Sequence, residues 1–548
     1  IIEPLEKELG IKLSDYTRLA QGQVTFALTQ NGWQGKTNES LGWIFLMDTK
    51  DKGEVLKTNL ATMKKKWVDA GKQLKTDKIR DVEFTTLITS TEGIAETMEK
   101  IFPRGKTEKD DAKPAGKKLE IIIGQSGSLL LVGNSAKVIE KVLVHQSGGL
   151  APALSEEAAY QGNHNAMFRD APFYVWMNVK PLIENLTHKA METPSDNPLA
   201  PKPDRLVAST GLGGLRTVAF SYRTQTEGGS AQLSLGIPEA SRQGIFKVFA
   251  AETKEASPPV FIPADVTKFT RWRLNLPKAL NGLEAMLTDI SPAIGGAFKL
   301  IFESAGKDKD PNYDLKKELL ANLGDDLINY QRRSAKSALA DLNSPPSIYL
   351  LGSPNPDKLA HALKIGMSLL SPSVLEEREF LGRKIYKVPP SPLLSTDPKA
   401  KNKNLNFSAS GGYVALSSDV AILEEYLRSS EMKGKSLSET AGFKEAVEKV
   451  GGFGTGLFGY SNQQEDMRAT FAALKNESAK LSDLIKNPAL SPKTPAEQKK
   501  FDEWADFSLL PAYESVSKYF YFSVYGGGFD ANGFSMKFFY PQPPGLKK

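Results

Sequence analysis

The chain has 548 residues, 40% of them hydrophobic and 24% charged, with 70 basic against 64 acidic side chains and a formal charge of +6. This is ordinary globular composition, which excludes a disordered, collagen-like or disulfide-stapled chain, and so small a charge over this length does not point to a nucleic-acid partner. There is no cysteine and there are only 4 histidines, which excludes thiol chemistry, disulfides, iron–sulfur clusters and most zinc sites.

Ile1-Ile2-Glu3-Pro4 leads directly into an amphipathic stretch at Leu5–Leu13, so a natural start upstream of Ile1 is expected. With it comes a cleaved signal peptide and an exported, periplasmic or extracellular, location. No run in the visible chain reaches the roughly 18 apolar residues of a membrane span. Trp43–Met47 predicts a strand and Glu54–Lys72 a long amphipathic helix, followed by a Lys-rich loop at Arg104–Lys118 without apolar period. Gly127–Leu143 reads as turn, strand and helix, with Ser135 placed to accept a bond from the first helical turn. A strand at Phe173–Asn178 precedes a hairpin of Thr217–Arg223 with Ala231–Ile237 around Thr-Glu-Gly-Gly.

Glu252–Val260, containing Ala-Ser-Pro-Pro, reads as a linker, and Phe261–Asp265 opens a second half. There Ser347–Leu351 predicts a strand, Lys358–Leu370 an amphipathic helix and Pro389–Lys403 an exposed loop. Tyr519–Tyr525 and Phe534–Tyr540 form a closing hairpin around Asp530-Ala531-Asn532-Gly533.

The second half repeats the first. Gly127–Leu143 lies without gaps over Gly411–Leu427 at an offset of 284, and Leu154–Tyr160 over Leu437–Phe443 at 283. The expected fold class is α+β: two tandem copies of a mainly antiparallel sheet covered on one face by amphipathic helices, the other face open. The expected division is a first repeat at 1–250, a linker at 251–260 and a second repeat at 261–548. The first repeat lacks the opening strand that Ile262–Arg273 gives the second, which places that strand before Ile1.

The Ile-Pro-Ala-Asp phrase at 262–265, the helix starts at Asp48–Lys52 and Pro354–Asp357, and Gly-Gly-Tyr-Val-Ala-Leu-Ser-Ser-Asp at 411–419 carry a resemblance. Over nearly its whole length the chain resembles a duplicated bacterial envelope or secreted protein family catalogued as a domain of unknown function. The resemblance implies export and a duplicated α+β body, and brings no catalytic residues with it.

Motifs with chemical content are few. Gly124-Gln125-Ser126-Gly127-Ser128 approaches a nucleophile elbow, but its last glycine is serine and a strand follows where a helix should start. Gly454-Thr455-Gly456-Leu457-Phe458-Gly459 matches the dinucleotide fingerprint, yet its counterpart at Phe173–Asn178 reads as a strand. Asp308, Asp310, Asn312 and Asp314 open like a calcium loop that lacks the glycine at position 6 and the glutamate at position 12, so a helix-capping acidic loop is the alternative. His145, His164, His188 and His361 have no metal-ligand spacing. Trp33, Trp43, Trp67, Trp176, Trp272 and Trp504, with Phe520, Tyr521, Phe538, Phe539 and Tyr540, supply core or contact surface.

No catalytic, cofactor-binding or metal residue is therefore assigned. The expected function is that of a non-catalytic binding or scaffold subunit of a bacterial envelope or secreted assembly, its partners other envelope proteins. A glycan- or lipid-binding protein with peripheral membrane contact, or an enzyme with an unrecognised carboxylate-based site, is the alternative. The functional surface is expected on exposed sheet faces, aromatics and the loops at 104–118 and 389–403.

Overall fold

The computed structural model describes residues 6, 12–30, 41–90, 118–192, 201–250, 252–308, 310–333, 345–370, 375–390, 404–429, 435–477, 507 and 510–546. The first repeat runs α1 (Leu13–Thr17), β1 (Val24–Gln30), β2 (Leu41–Asp48), α2 (Gly53–Asp69), β3 (Leu74–Ile79), β4 (Val82–Ser90), β5 (Lys118–Ser126), β6 (Leu129–Gly133), α3 (Ala136–Gln146), α4 (Ala158–Met167), β7 (Phe173–Asn178), α5 (Lys180–Glu192), α6 (Pro203–Thr210), β8 (Thr217–Gln225) and β9 (Gly228–Gly236). After α7 (Ile245–Val248), the second runs β10 (Lys268–Arg273), α8 (Leu276–Ile290), α9 (Pro292–Ser304), α10 (Leu315–Asn322), β11 (Asp326–Gln331), β12 (Ser347–Gly352), α11 (Pro356–Leu370), β13 (Glu376–Phe380), β14 (Arg383–Val388), β15 (Leu405–Ser410), β16 (Tyr413–Ser417), α12 (Val420–Leu427), α13 (Phe443–Lys449), β17 (Leu457–Asn462), α14 (Gln463–Glu477), α15 (Tyr513–Val516), β18 (Phe522–Phe529) and β19 (Gly533–Pro541).

Hairpin after hairpin makes both sheets antiparallel, and the fold is α+β. One sheet has 6 strands in the order β1-β2-β6-β5-β4-β3; the other has 13, in the order β13-β14-β15-β16-β12-β11-β10-β17-β18-β19-β9-β8-β7. Strand pairing repeats residue for residue between the halves. Phe45 faces Val132 as Tyr349 faces Leu416, Phe84 faces Gly124 as Ile385 faces Ser408, and Trp176 faces Ala219 as Tyr460 faces Val524. Even the strained turn residue recurs: Arg80 and Leu381, at the same place in the β3–β4 and β13–β14 hairpins, have φ of 53° and 50°. Leu129–Leu143 and Tyr413–Leu427 accordingly occupy equivalent positions.

The repeats meet at β9 and β19, whose 9-residue ladder maps onto itself when the repeats are exchanged. Gly229 pairs with Tyr540 as Phe534 pairs with Leu235, and Gln232 and Lys537, equivalent residues, pair with each other.

The boundary between compact units differs from the sequence expectation. The described residues group into one unit up to Leu154 and another from Ser155 on. The reason lies in β10, which in the second repeat is bonded to β11 on one side and β17 on the other. The described residues of the first repeat contain no counterpart of that strand, so β1–β6 and β7–β9 belong to different sheets. Nor is 251–260 a free linker: Ala256 is fully buried and its amide donates to the Phe453 carbonyl, while the Glu252 amide donates to that of Arg273.

The expectation of one open face is also corrected, because helices pack on both faces of each sheet. Leu130 and Leu131 are successive on β6 and point to opposite sides. Leu130 joins Leu56 of α2, and Leu131 joins Val138, Ile139 and Leu143 of α3. In the larger sheet Val414 meets Leu359 and Ala360 of α11, whereas Ala415 meets Ile422, Leu423 and Tyr426 of α12. Asp419 caps α12 by accepting from the Ala421 amide at 2.8 Å, while its counterpart Ser135 makes no such cap on α3.

The largest core, between the sheet and α12 and α13, closes on Phe458, which has no exposed surface and packs against Phe269, Phe443 and Phe453. Phe458→Ala is expected to cost about 3–5 kcal/mol of unfolding free energy in urea titration. Tyr349→Ala, at a residue of β12 that is itself 51% exposed, should stay within about 1 kcal/mol of the parent.

Candidate functional site

Strand alternation that builds this core also builds a cleft where the strands run out. On β10 the core-facing position after Phe269 is Arg271 and the next is Arg273; on β11 the position preceding Ile328 and Tyr330 is Asp326; on β16 the one before Ala415 is Tyr413. Arg273, Asp326 and Tyr413, with the turns at Gly324–Asp325, Gly352–Pro354 and Gly411–Gly412 and the segment carrying Glu252 and Lys254, surround an open cleft of about 660 Å³, and Arg271 stands behind them.

Along its wall, opposite charges form a continuous chain. Arg271 donates from Nε and Nη2 to the two oxygens of Asp326 at 3.0 and 2.6 Å and from Nη1 to the Ser257 carbonyl at 2.6 Å. Asp326 also accepts the Tyr413 hydroxyl at 2.8 Å and lies 3.0 Å from Arg273 Nη1. Arg273 Nη2 donates to Asp325 at 2.9 Å; Asp325 pairs in turn with Lys254, Lys254 with Glu252 at 2.6 Å, and Glu252 accepts from Asn275 at 3.1 Å. Asn275 then uses its own oxygen to cap α8.

The chain fixes the protonation of its members. Burial alone pushes the Asp325 carboxyl up, but the bond from Lys254 and the charges of Arg273 and Lys254 outweigh it and hold the group below the usual carboxylate range. Bonds from Lys254 and Asn275 lower Glu252, and the bonds to Asp325 and Glu252 raise Lys254. Burial, then the neighbouring Asp326 charge, raises the Tyr413 hydroxyl. These shifts keep Asp325, Glu252 and Lys254 ionised at neutral pH, and Tyr413 keeps its proton. The carboxyl that burial pushes up, Asp466 on α14, is not among the residues lining the cleft.

The sequence motifs fall elsewhere or dissolve. Gly127 and its counterpart Gly411 are hairpin turns at φ of 60° and 58°, as a tight turn requires, and Gln125 spends its amide on the carbonyls of Gly53 and Gly127. Gly459 lies inside β17, where an added Cβ would come within 2.0 Å of the Tyr525 ring, so close packing accounts for it. In the acidic loop Asp310 accepts from the Asn312 amide and Asp314 caps α10 through the Lys317 amide, both at 2.9 Å. Among the described residues no group of three or more metal-ligating side chains occurs. His188 pairs with Glu192 at 3.2 Å and His164 stacks on Phe168. Trp67 is core, donating to the Gln73 carbonyl at 2.9 Å; Trp33, Trp504 and the loop residues 104–117 and 391–403 lie outside the described residues.

Sequence reasoning passed over Arg271, Arg273, Asp325 and Asp326. The available signal was charge at strand positions in phase with buried aromatics, which a satisfied ion network requires. The first repeat does not share the cleft: Gln23 stands where Asp326 does and Leu129 where Tyr413 does. Compared with protein-family models, curated proteins and solved structures, the chain matches none.

Removing Asp326 would leave two guanidiniums in a half-dry setting, so Asp326→Asn is expected to cost about 3–5 kcal/mol in urea titration. Asp325, with its carboxyl lowered in the fold, adds stability that is present above the ordinary aspartate pKa of about 3.9 and is lost as pH falls through the folded value. Unfolding midpoints between pH 6 and about pH 3 should therefore fall less steeply in Asp325→Asn than in the parent.

Proposed function

We propose that the protein acts by contact, as a non-catalytic binding or scaffold component of a bacterial envelope or secreted assembly, with the cleft beside β10 as its contact site. The observation that carries this reading is the ionic chain on the cleft wall. A general acid or base needs a pKa tuned toward working pH, and here the pairing drives carboxylates down and the amine up, away from it. What such a wall supplies is fixed, oppositely charged anchor points. The outer pair, Lys254 and Glu252, is 46% and 27% exposed and so within reach of a polar partner. The envelope setting is supported by the resemblance carried at 262–265 and 411–419.

The test is capture from natural-source extract by the parent and by Lys254→Glu, with Lys449→Glu as a reversal of another exposed pair. A component retained by the parent and by Lys449→Glu but lost from Lys254→Glu is expected. Turnover of a glycan, peptide or ester by purified protein that disappears in Asp325→Asn would overturn the reading.

A further inference from the structure

The larger sheet ends differently on its two sides. At one end β13 carries Glu376, Glu377, Arg378 and Glu379, the charged kind of edge that resists pairing with another strand. At the other end β7 reads Phe-Tyr-Val-Trp-Met-Asn, without a charge, glycine or proline. Among the described residues no strand pairs with its outer side, whereas its counterpart β17 is flanked by both β18 and β10. Along one face of β7, Phe173, Val175 and Met177 are 53%, 40% and 43% exposed, where Leu457, the counterpart of Phe173, is 6% exposed. On the other face, Tyr174 Oη and Trp176 Nε1 are buried without a hydrogen-bond partner among the described residues, beside Tyr160, His164 and Phe168 of α4. All of these residues belong to the unit that begins at Ser155.

We propose that β7 pairs antiparallel with β7 of a second copy of this chain, about a two-fold axis at Val175. The strand selects this occupant because it is complementary to its own reverse. With Val175 opposite Val175 of the second copy, Phe173 meets Met177, an aromatic ring against a thioether, and the exposed apolar row is covered by its own image. On the other face the same register sets Tyr174 opposite Trp176, with Cβ atoms about 4.5–5.5 Å apart as in any directly opposed pair. An indole N–H only donates and a phenol oxygen can accept, so the two unpartnered atoms of one copy answer those of the other, twice over. No like charges meet at the axis. β13 shows the contrast, since pairing it with itself about Arg378 would set Arg378 against Arg378 and Glu377 against Glu379. One end of the sheet is thus closed to a second copy by charge, and the other is shaped for it.

Because the chain has no cysteine, single introduced cysteines report both the pairing and its register. The purified polypeptide of residues 1–548 should sediment at twice the mass of the chain. Under mild oxidation Val175→Cys should form a disulfide-linked dimer at least about ten-fold faster than Phe173→Cys, because position 173 lies four residues, roughly 13 Å, from its own image in this register. A mixture of Phe173→Cys and Met177→Cys should link as readily as Val175→Cys alone. Sedimentation of the parent as a single chain would overturn the proposal, since the edge then takes no second copy. A dimer in which Val175→Cys links no faster than Phe173→Cys would overturn it as well, by placing the contact elsewhere or in another register.

Discussion

An antiparallel strand presents two rows of backbone donors and acceptors, and the larger sheet depends on β10 having both rows used. β11 and β17 hold it from either side, and neither neighbours the other in sequence. Through that strand the β11–β16 module and the β17–β19 hairpin group become one sheet. It also sets where the main core sits, because Phe269 lies between Tyr330 and Tyr460 in register and packs against Phe458. The segment at 252–256, fastened to Arg273 and Phe453 by backbone bonds, seals the same strand's end.

The cleft and the core are two ends of one alternation. As β10 leaves the sheet, the positions that were apolar become arginines, and the facing ends of β11 and β16 supply the carboxylate and the phenol that those arginines need. A buried guanidinium is tolerated only when its charge is answered. Each member of the chain from Arg271 to Asn275 answers the one before, and only the last members reach solvent appreciably. This gives a polar opening whose outer carboxylates, Asp325 and Glu252, are held below the usual carboxylate range.

Much of the fold is legible in the sequence because the repeat is written in short local phrases. An apolar strand followed by an amphipathic helix at Leu129–Leu143 and Tyr413–Leu427 declares both elements by period, and the glycine turns fix the hairpins. The join between repeats is not legible. β9, Gly- and Ser-rich, and β19, aromatic-rich, lie about 300 residues apart, and nothing in their alternation names a partner. The Ala-Ser-Pro-Pro phrase reads as linker from composition, whereas Ala256 is packed away. The cleft was invisible for a similar reason: Arg271 and Arg273 meet Asp326 and Asp325 across 55 and 52 residues, and such a pair reads locally as four surface charges.

The ladder between β9 and β19 carries a further consequence. Because exchanging the repeats returns the same pairs, with Gln232 and Lys537 meeting at the centre, the contact is of the isologous kind that relates two subunits of a symmetric dimer. Within the larger sheet, β7–β9 and β17–β19 thus pair as the equivalent strands of two subunits in a homodimer would, although one chain carries both. Carrying both in one chain frees each half to diverge without breaking the match in the other, since symmetry is not imposed by identical sequence. The ionic cleft of the second repeat, against Gln23 and Leu129 at the corresponding places of the first, is what such freedom leaves behind.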